Sequence, residues 1–211
     1  MGRAQEGSVK GISDLTYHIL AIDPGSTAGI ASYSSDNDQH AHALYKLTGS
    51  RVERYCDYGE RIAEAVRAAR EQNHPITHVG IEMATLVLQQ DDAGKVTYDI
   101  NNVAMACYWQ ERTMEICYRL GVPSFHTVAI SQWRSRFLGL TRAPDRLTKQ
   151  VERRKWFKAK AIQRCSELGY GDDLPEDVAE AYGVLFSLRC DIDPSFAFQA
   201  GQSGGHQEDL L

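Results

Sequence analysis

The apolar residues of this chain recur in two rhythms, one of two residues and one of three to four, and their alternation predicts a layered fold. Tyr17 to Asp23 carries the run Ile19-Leu20-Ala21-Ile22, the mark of a strand covered on both faces. Pro24-Gly25 turns the chain into a second strand at about Gly29 to Tyr33. The polar stretch Ser34 to His40 turns it again, into a third strand at about Ala41 to Lys46. From Val52 to Glu71, Ile62, Ala65, Val66 and Ala69 recur at helical spacing, and Thr77 to Met83 then alternates Val79 and Ile81 as a fourth strand. Gln89 to Lys95 reads as a polar surface loop. Asn101 to Leu120 predicts a long helix with Val103, Ala106, Cys107, Met114, Cys117 and Tyr118 on its apolar side, stopped by Gly121 and Pro123. Val122 to Val128 is a short fifth strand, and Ser131 is suited to cap a helix running through Phe137. Glu152 to Leu168 and Pro175 to Arg189 are the remaining helices, with Asp173 and Glu176 spaced as a capping box for the last.

Three meandering strands followed by alternating helices and strands predict an α/β fold. It is a five-stranded mixed sheet flanked by helices, in the order of the ribonuclease H-like architecture. At 211 residues and 43% hydrophobic content the chain can bury one sizeable core. The expected organisation is a flexible leader over 1–16, one domain over 17–190, and a flexible tail rich in Gly, Gln and acids over 191–211. No apolar run is long enough to span a bilayer, and Met1 to Ser13 lacks the apolar stretch of a secretory signal, so a cytoplasmic protein is expected. The cysteines Cys56, Cys107, Cys117, Cys165 and Cys190 form no CxxC pair, which argues against zinc and for buried, reduced thiols.

Net charge changes the picture only through its distribution. The chain carries −5 overall, yet Arg134 to Arg164 holds eleven Lys/Arg against Asp145 and Glu152 alone. That segment reads either as a phosphate-binding surface or as a solvated amphipathic helix with a basic loop. Within it, Arg146, Lys149, Arg153, Arg154, Lys155 and Lys160 are the candidate DNA contacts, and Lys158 the candidate to approach a reacting phosphate.

Asp23 ends the first strand, where an uncompensated carboxylate is costly. In a ribonuclease H-like sheet the first and fourth strands are neighbours, which brings Glu82 beside it. Asp177 and Glu180 are three apart and share one helical face, although acids in the first two turns of a helix also have an ordinary capping role. Four crowded carboxylates repel one another and call for hard cations with oxygen ligands, Mg²⁺ or Mn²⁺, two per site. Two such ions about 4 Å apart suit phosphodiester hydrolysis.

Ile-Leu-Ala-Ile-Asp23-Pro-Gly-Ser-Thr-Ala-Gly, Val-Gly-Ile-Glu82-Met, Lys158-Ala-Lys-Ala-Ile162 and Asp177-Val-Ala-Glu180-Ala-Tyr-Gly-Val-Leu together resemble the RuvC-type Holliday junction resolvases, especially divergent members of bacteriophage type. The likeness spans about Tyr17 to Leu188. It implies a homodimer making paired Mg²⁺-dependent nicks across a four-way DNA junction, with Asp23, Glu82, Asp177 and Glu180 as metal-binding catalytic acids and Lys158 near phosphate. The family often has Asp where Glu180 stands here. The resemblance also makes Asn101 to Leu120 the dimer-forming helix, with Met105, Tyr108, Trp109 and Arg112 facing either a partner or the core. The rival readings are a nuclease for flaps, forks or single strands, an actin-like ATPase fragment, and a DNA-binding module without catalysis. An ATPase of that class needs a second lobe and a second phosphate loop, and no second copy is present.

Overall fold

The computed structural model describes residues 16–83, 88–90, 96–98 and 100–203. The expected leader up to residue 15, residues 91–95 of the expected loop, and the tail from 204 onward lie outside the described residues. The elements run β1 His18–Asp23, β2 Thr27–Ser34, β3 Gln39–Lys46, α1 Arg51–Glu71, β4 His78–Glu82, β5 Leu88–Gln90, β6 Val96–Tyr98, α2 Ile100–Arg119 and β7 Ser124–Val128. Then come α3 Ile130–Trp133, a π-helical turn Arg134–Leu138, α4 Gln150–Glu167, α5 Glu176–Ile192 and α6 Pro194–Ser203.

Five strands form one mixed sheet in the order β3-β2-β1-β4-β7. β2 is antiparallel to both neighbours, while β1, β4 and β7 are mutually parallel. The central strand explains its own sequence. Ile19 and Ala21 face a core shared with α4 and α5, and Leu20 and Ile22 face a second core under α1 and α2. With helices on both faces, no position of β1 between His18 and Asp23 is left for a polar side chain. α5 is the spine of the first core, buried without a break from Val178 to Leu188. Apart from Glu180 and Ser187, that run is apolar or aromatic on every side because it is covered on every side.

The structure departs from the sequence reading in several places. Pro194–Ser203, inside the expected flexible tail, is helix α6. Asp193 Oδ1 accepts from the backbone N–H groups of Ser195 and Phe196, at 3.0 Å each, with Pro194 at the first helical position. Phe196 packs on Phe186, ring centroids 5.1 Å apart, so the folded unit extends past residue 190. The Asp173–Glu176 capping box does not form: Asp173 has φ +53, and Pro175 occupies the cap position of α5 without a side-chain hydrogen bond. Ser131 caps nothing either, because α3 starts at Ile130 behind Ala129. Gln89 and Gln90 belong to β5, which pairs antiparallel with β6.

Helix α2 presents a different face from the one expected. Trp109, Thr113, Ile116 and Cys117 are buried against α1 and the sheet, whereas Cys107, Met114 and Tyr118 are exposed. The period was read correctly but the phase was not, since apolar residues occupy both sides of this helix. Cys56 and Cys107 are therefore exposed thiols, while Cys117 and Cys165 are buried.

Candidate metal centre

Strand periodicity selects the face on which the site forms. Asp23 shares parity with Ile19 and Ala21, and Glu82 shares parity with Gly80, whose Cα lies under Leu188 of α5. The parallel register pairs Ile22 with Ile81, so Asp23 and Glu82 end neighbouring strands on the α5 side. Both sit at the C-terminal ends of their strands, where open α/β sheets gather ligand-binding groups.

The helix acids arrive by a close approach. Gly29 pairs with Asp23 across β1 and β2, and a Cβ at Gly29 would lie 1.9 Å from the backbone oxygen of Asp177. The first turn of α5 thus rests directly on the β2 backbone. Glu180 follows on the same helical face, and oxygens of Asp23, Asp177 and Glu180 all lie within 4.8 Å of one another. Glu82 stands apart from this trio. Trp133, fully buried, donates its indole N–H to Glu82 Oε2 at 2.8 Å. Gly183 makes room for that indole, since a Cβ there would meet Trp133 Cε3 at 2.5 Å.

Two cations lie among the acids. Lys158 Nζ is 2.8 Å from Asp177 Oδ1, 3.2 Å from Glu176 Oε2 and 3.6 Å from Glu180 Oε2. Arg134 Nη2 is 3.9 Å from Glu180 Oε1, and its guanidinium lies 4.0 Å above the Phe157 ring. Arg134, Trp133 and Glu176 were not singled out as site residues by sequence. The signal available was Trp133-Arg134 directly after the β7 strand that neighbours Glu82, but Arg134 was counted only as one charge of the basic segment.

Electrostatics show what the site lacks. Burial, then the charges of Glu82, Glu180 and Asp177, push the Asp23 carboxyl well above the usual carboxylate range, against a smaller pull from Lys158. Burial and Glu180 push Glu82 up to about 7, although the Trp133 N–H, Arg134 and Arg154 oppose them. Glu180 is raised by burial, with Lys158 and Arg134 opposing and Asp177 adding to the rise. On Lys158, burial works against the charge, but the Asp177 hydrogen bond and the Glu180 charge prevail and its pKa rises. Lys158, Arg134 and Arg154 together leave Asp23, Glu82 and Glu180 raised. An all-oxygen donor set with unmet negative charge fits a hard divalent ion.

This has a consequence for stability in the absence of metal. Acids raised in the folded state keep protons that the unfolded chain releases near its ordinary carboxylate pKa. Their contribution is therefore complete below about pH 4.5 and is lost as pH rises through about 7, the value for Glu82. In EDTA the melting temperature is expected to fall across that window more steeply for wild type than for Asp23→Asn, and added Mn²⁺ is expected to restore it. Parallel melting curves for the two proteins would mean that the acids do not crowd one another.

Of the basic candidates, Arg146, Lys149, Arg153, Arg154 and Lys155 are exposed around the start of α4. Arg154 is near enough to the acids to act on Glu82. Arg153 Nε donates to the Leu147 carbonyl, and Lys160 Nζ donates to Gln163 on the outer side of α4. Among the described residues, no helix is long and apolar enough to cross a membrane.

No protein-family model matches the sequence, and no curated protein matches it. Among solved structures, the fold is similar to that of T. thermophilus RuvC in complex with a Holliday junction substrate, with a TM-score of 0.51 and 12% sequence identity. The match covers 84% of this chain and 96% of that chain. The chain thus has a distant RuvC-like, ribonuclease H-like fold: a mixed five-stranded sheet flanked by helices, with an acidic cluster at the ends of its central parallel strands.

Proposed function

We propose that this protein is a divalent-metal-dependent DNA endonuclease that resolves four-way junctions by paired symmetric nicks, acting as a homodimer in the cytoplasm. The observation that carries the reading is the convergence of Asp23, Asp177 and Glu180, with Glu82 alongside, at the end of the β1–β4 pair. An inert fold gains nothing from such crowding, which argues against a DNA-binding module without catalysis. The similar T. thermophilus structure holds a Holliday junction substrate, which favours branched DNA as the partner.

In this reading Asp23, Asp177, Glu180 and Glu82 hold Mg²⁺, with Mn²⁺ able to replace it, two ions per site. The chemistry such ions supply is a water made nucleophilic near neutral pH and charge stabilisation on the departing 3′ oxygen. The remaining work falls to the chain itself. Trp133 fixes the rotamer of Glu82. Lys158 ties Asp177 and Glu180 together, so the carboxylates are positioned before ions arrive. Arg146, Lys149, Arg153, Arg154, Lys155 and Lys160, with the segment Gly139 to Lys149, would follow the phosphate backbone, Arg154 being the one that acts on Glu82. Paired nicks require two sites. Helix α2 offers a face for self-association in Tyr108, Met114 and Tyr118, which are 42%, 52% and 86% exposed, while Trp109 belongs to the core.

The test is cleavage by the purified chain, with Mg²⁺, of end-labelled four-way, flap, fork, duplex and single-stranded DNA. Symmetric nicks confined to the four-way junction are expected. Preferential cutting of flaps, forks or single strands would keep the nuclease and replace the substrate. Junction binding without cutting on any DNA would leave a non-catalytic module.

A further inference from the structure

We propose that the groove between α1 and α2 is a binding site for a small phosphate dianion, free or carried by a mononucleotide, held by Arg67, Arg112 and Arg119. The groove belongs to the second core, on the face of the sheet away from α5 and the acids. It encloses about 160 Å³. That is many times the roughly 10–15 Å³ that one water needs and below the roughly 300–1,000 Å³ of pockets for drug-sized ligands, so its occupant is small. Ala63, Ile116 and Leu120 supply the apolar lining, the three arginines the cationic lining, and Glu60 is the one acid among them.

Arg112 is built into this groove. A Cβ at Gly59 would lie 2.4 Å from Arg112 Nε, 2.8 Å from Nη2 and 3.0 Å from Cζ, so the guanidinium rests on the bare backbone of α1. Glycine inside a helix is disfavoured, and here its missing side chain is what gives the guanidinium its seat. The Tyr55 ring lies 5.4 Å from the guanidinium carbon, and Nη1 donates to Glu115 Oε2 at 2.7 Å. Nε is buried without an acceptor among the described residues. The side chain is thus fixed in place with its charge only partly met, because Glu115 is shared with Arg119, whose Nη2 lies 3.0 Å from Oε1.

Arg67 lines the groove from α1, is exposed, and has no hydrogen bond or ion pair among the described residues. Arg70, one turn on, donates Nη2 to the Leu120 carbonyl beside the groove. Arg67, Arg70, Arg112 and Arg119 therefore stand against Glu60 and Glu115, four positive charges to two negative, on a chain whose net charge is −5. Two unmatched charges fit a dianion, where a carboxylate would bring only one. Phosphate also offers several oxygens to planar forks approaching from two helices, and arginine binds such oxygens in pairs. Arg119, 70% exposed, and Arg67 are free to turn onto a ligand seated beside Arg112. The groove shares no residue with the carboxylate site, so it stands or falls separately from the nuclease reading.

Full-length protein in EDTA, at about pH 8 where phosphate is a dianion and at constant ionic strength, is titrated calorimetrically with inorganic phosphate, a 5′-mononucleotide and acetate. Wild type is compared with Arg112→Gln, Arg67→Gln, Arg119→Gln and Arg146→Gln. One phosphate per chain is expected to bind with a Kd below about 10 mM, and the melting temperature to rise with phosphate concentration. Arg112→Gln and Arg67→Gln are each expected to weaken binding about tenfold or more and Arg119→Gln about threefold, while Arg146→Gln, in the basic segment before α4, leaves it unchanged. A mononucleotide that binds more tightly than inorganic phosphate, with the same dependence on Arg67 and Arg112, names the mononucleotide as the ligand; equal affinities name phosphate itself. The assignment is overturned if wild type shows no saturation, if acetate binds as tightly as phosphate, or if Arg146→Gln weakens binding as much as Arg112→Gln. Should Arg112→Gln fail to fold, Arg67→Gln decides, because an exposed side chain without partners can be changed without disturbing the core. Phosphate affinity within about twofold of wild type in that variant sinks the proposal. Cleavage enters none of these readouts, so a wild type that binds phosphate here and cuts no DNA would sink the nuclease reading alone.

Discussion

Asp23→Asn, Glu82→Gln, Asp177→Asn and Glu180→Gln are each expected to lower Mg²⁺-dependent cleavage by about three orders of magnitude, some 4 kcal/mol of barrier, while branched DNA still binds. The amide variants keep shape and hydrogen-bonding capacity but remove one negative charge from a group that needs several to hold a divalent ion. The four should not behave alike in metal binding. Asp23, Asp177 and Glu180 form the compact trio, so losing any one of them should weaken Mn²⁺ binding strongly. Glu82 accepts from Trp133 and lies outside that trio, so Glu82→Gln should cost rate more than affinity. Neutralising an acid also relieves its neighbours, and Asp23→Asn is expected to raise the melting temperature of the metal-free protein above pH 7, the reverse of its effect on activity. Two of these variants cutting at the wild-type rate would dissolve the proposed site.

The second large effect is expected at a residue that carries no charge of its own. Gly29→Ala and Gly29→Val should both destabilise the protein and disband the acids, because the new Cβ would lie 1.9 Å from the Asp177 oxygen and 2.2 Å from its carbonyl carbon. Backbone atoms in the first turn of a buried helix cannot rotate aside as a flexible side chain can. Either β2 or the start of α5 must move, and α5 is the spine of one core. A cost of about 3 kcal/mol, or a melting temperature lower by roughly 6–12 °C, is expected. Mn²⁺ affinity should fall with it, since Asp177 and Glu180 are carried by the displaced turn. Gly201→Ala is the control: nothing lies within 4 Å of its Cβ, and the change should stay within about 0.5 kcal/mol of neutral. Calorimetry and Mn²⁺ titration on the three variants read both effects. Retained melting and retained metal binding in Gly29→Ala would mean that α5 does not sit on β2 as described.

Helix α2 shows where legibility ended for the fold. Its period was plain, but Trp109 and Ile116 on one side and Met114 and Tyr118 on the other are all apolar, so sequence could not say which side meets α1. Helix α6 shows a different gap. Asp193-Pro194-Ser195 is a start signal for a helix, yet the Gly- and Gln-rich sequence beyond it reads as unstructured until Phe196 finds Phe186. In the site, the acids were legible because each belongs to a local pattern, a strand end or a helical pair. Trp133 and Arg134 were not, because what they do depends on Glu82 and Glu180, 51 and 46 positions away in the chain. Lys158 was legible as a site residue but not in its partners, since only the packing of α4 on α5 directs its ammonium at Asp177.

Sequence alone determined the strand and helix periods, the apolar run that makes β1 a central strand, and the four carboxylates that end or begin elements. These are written in neighbouring residues, whose spacing dictates which side chains share a face. Tertiary structure alone decided that oxygens of three of those acids lie within 4.8 Å of one another, that Glu82 accepts from an indole, and that a lysine is directed at Asp177. Distances between elements are set by side-chain volume at the contacts, above all by the missing Cβ atoms of Gly29 and Gly183, and such volumes act only once the elements have met.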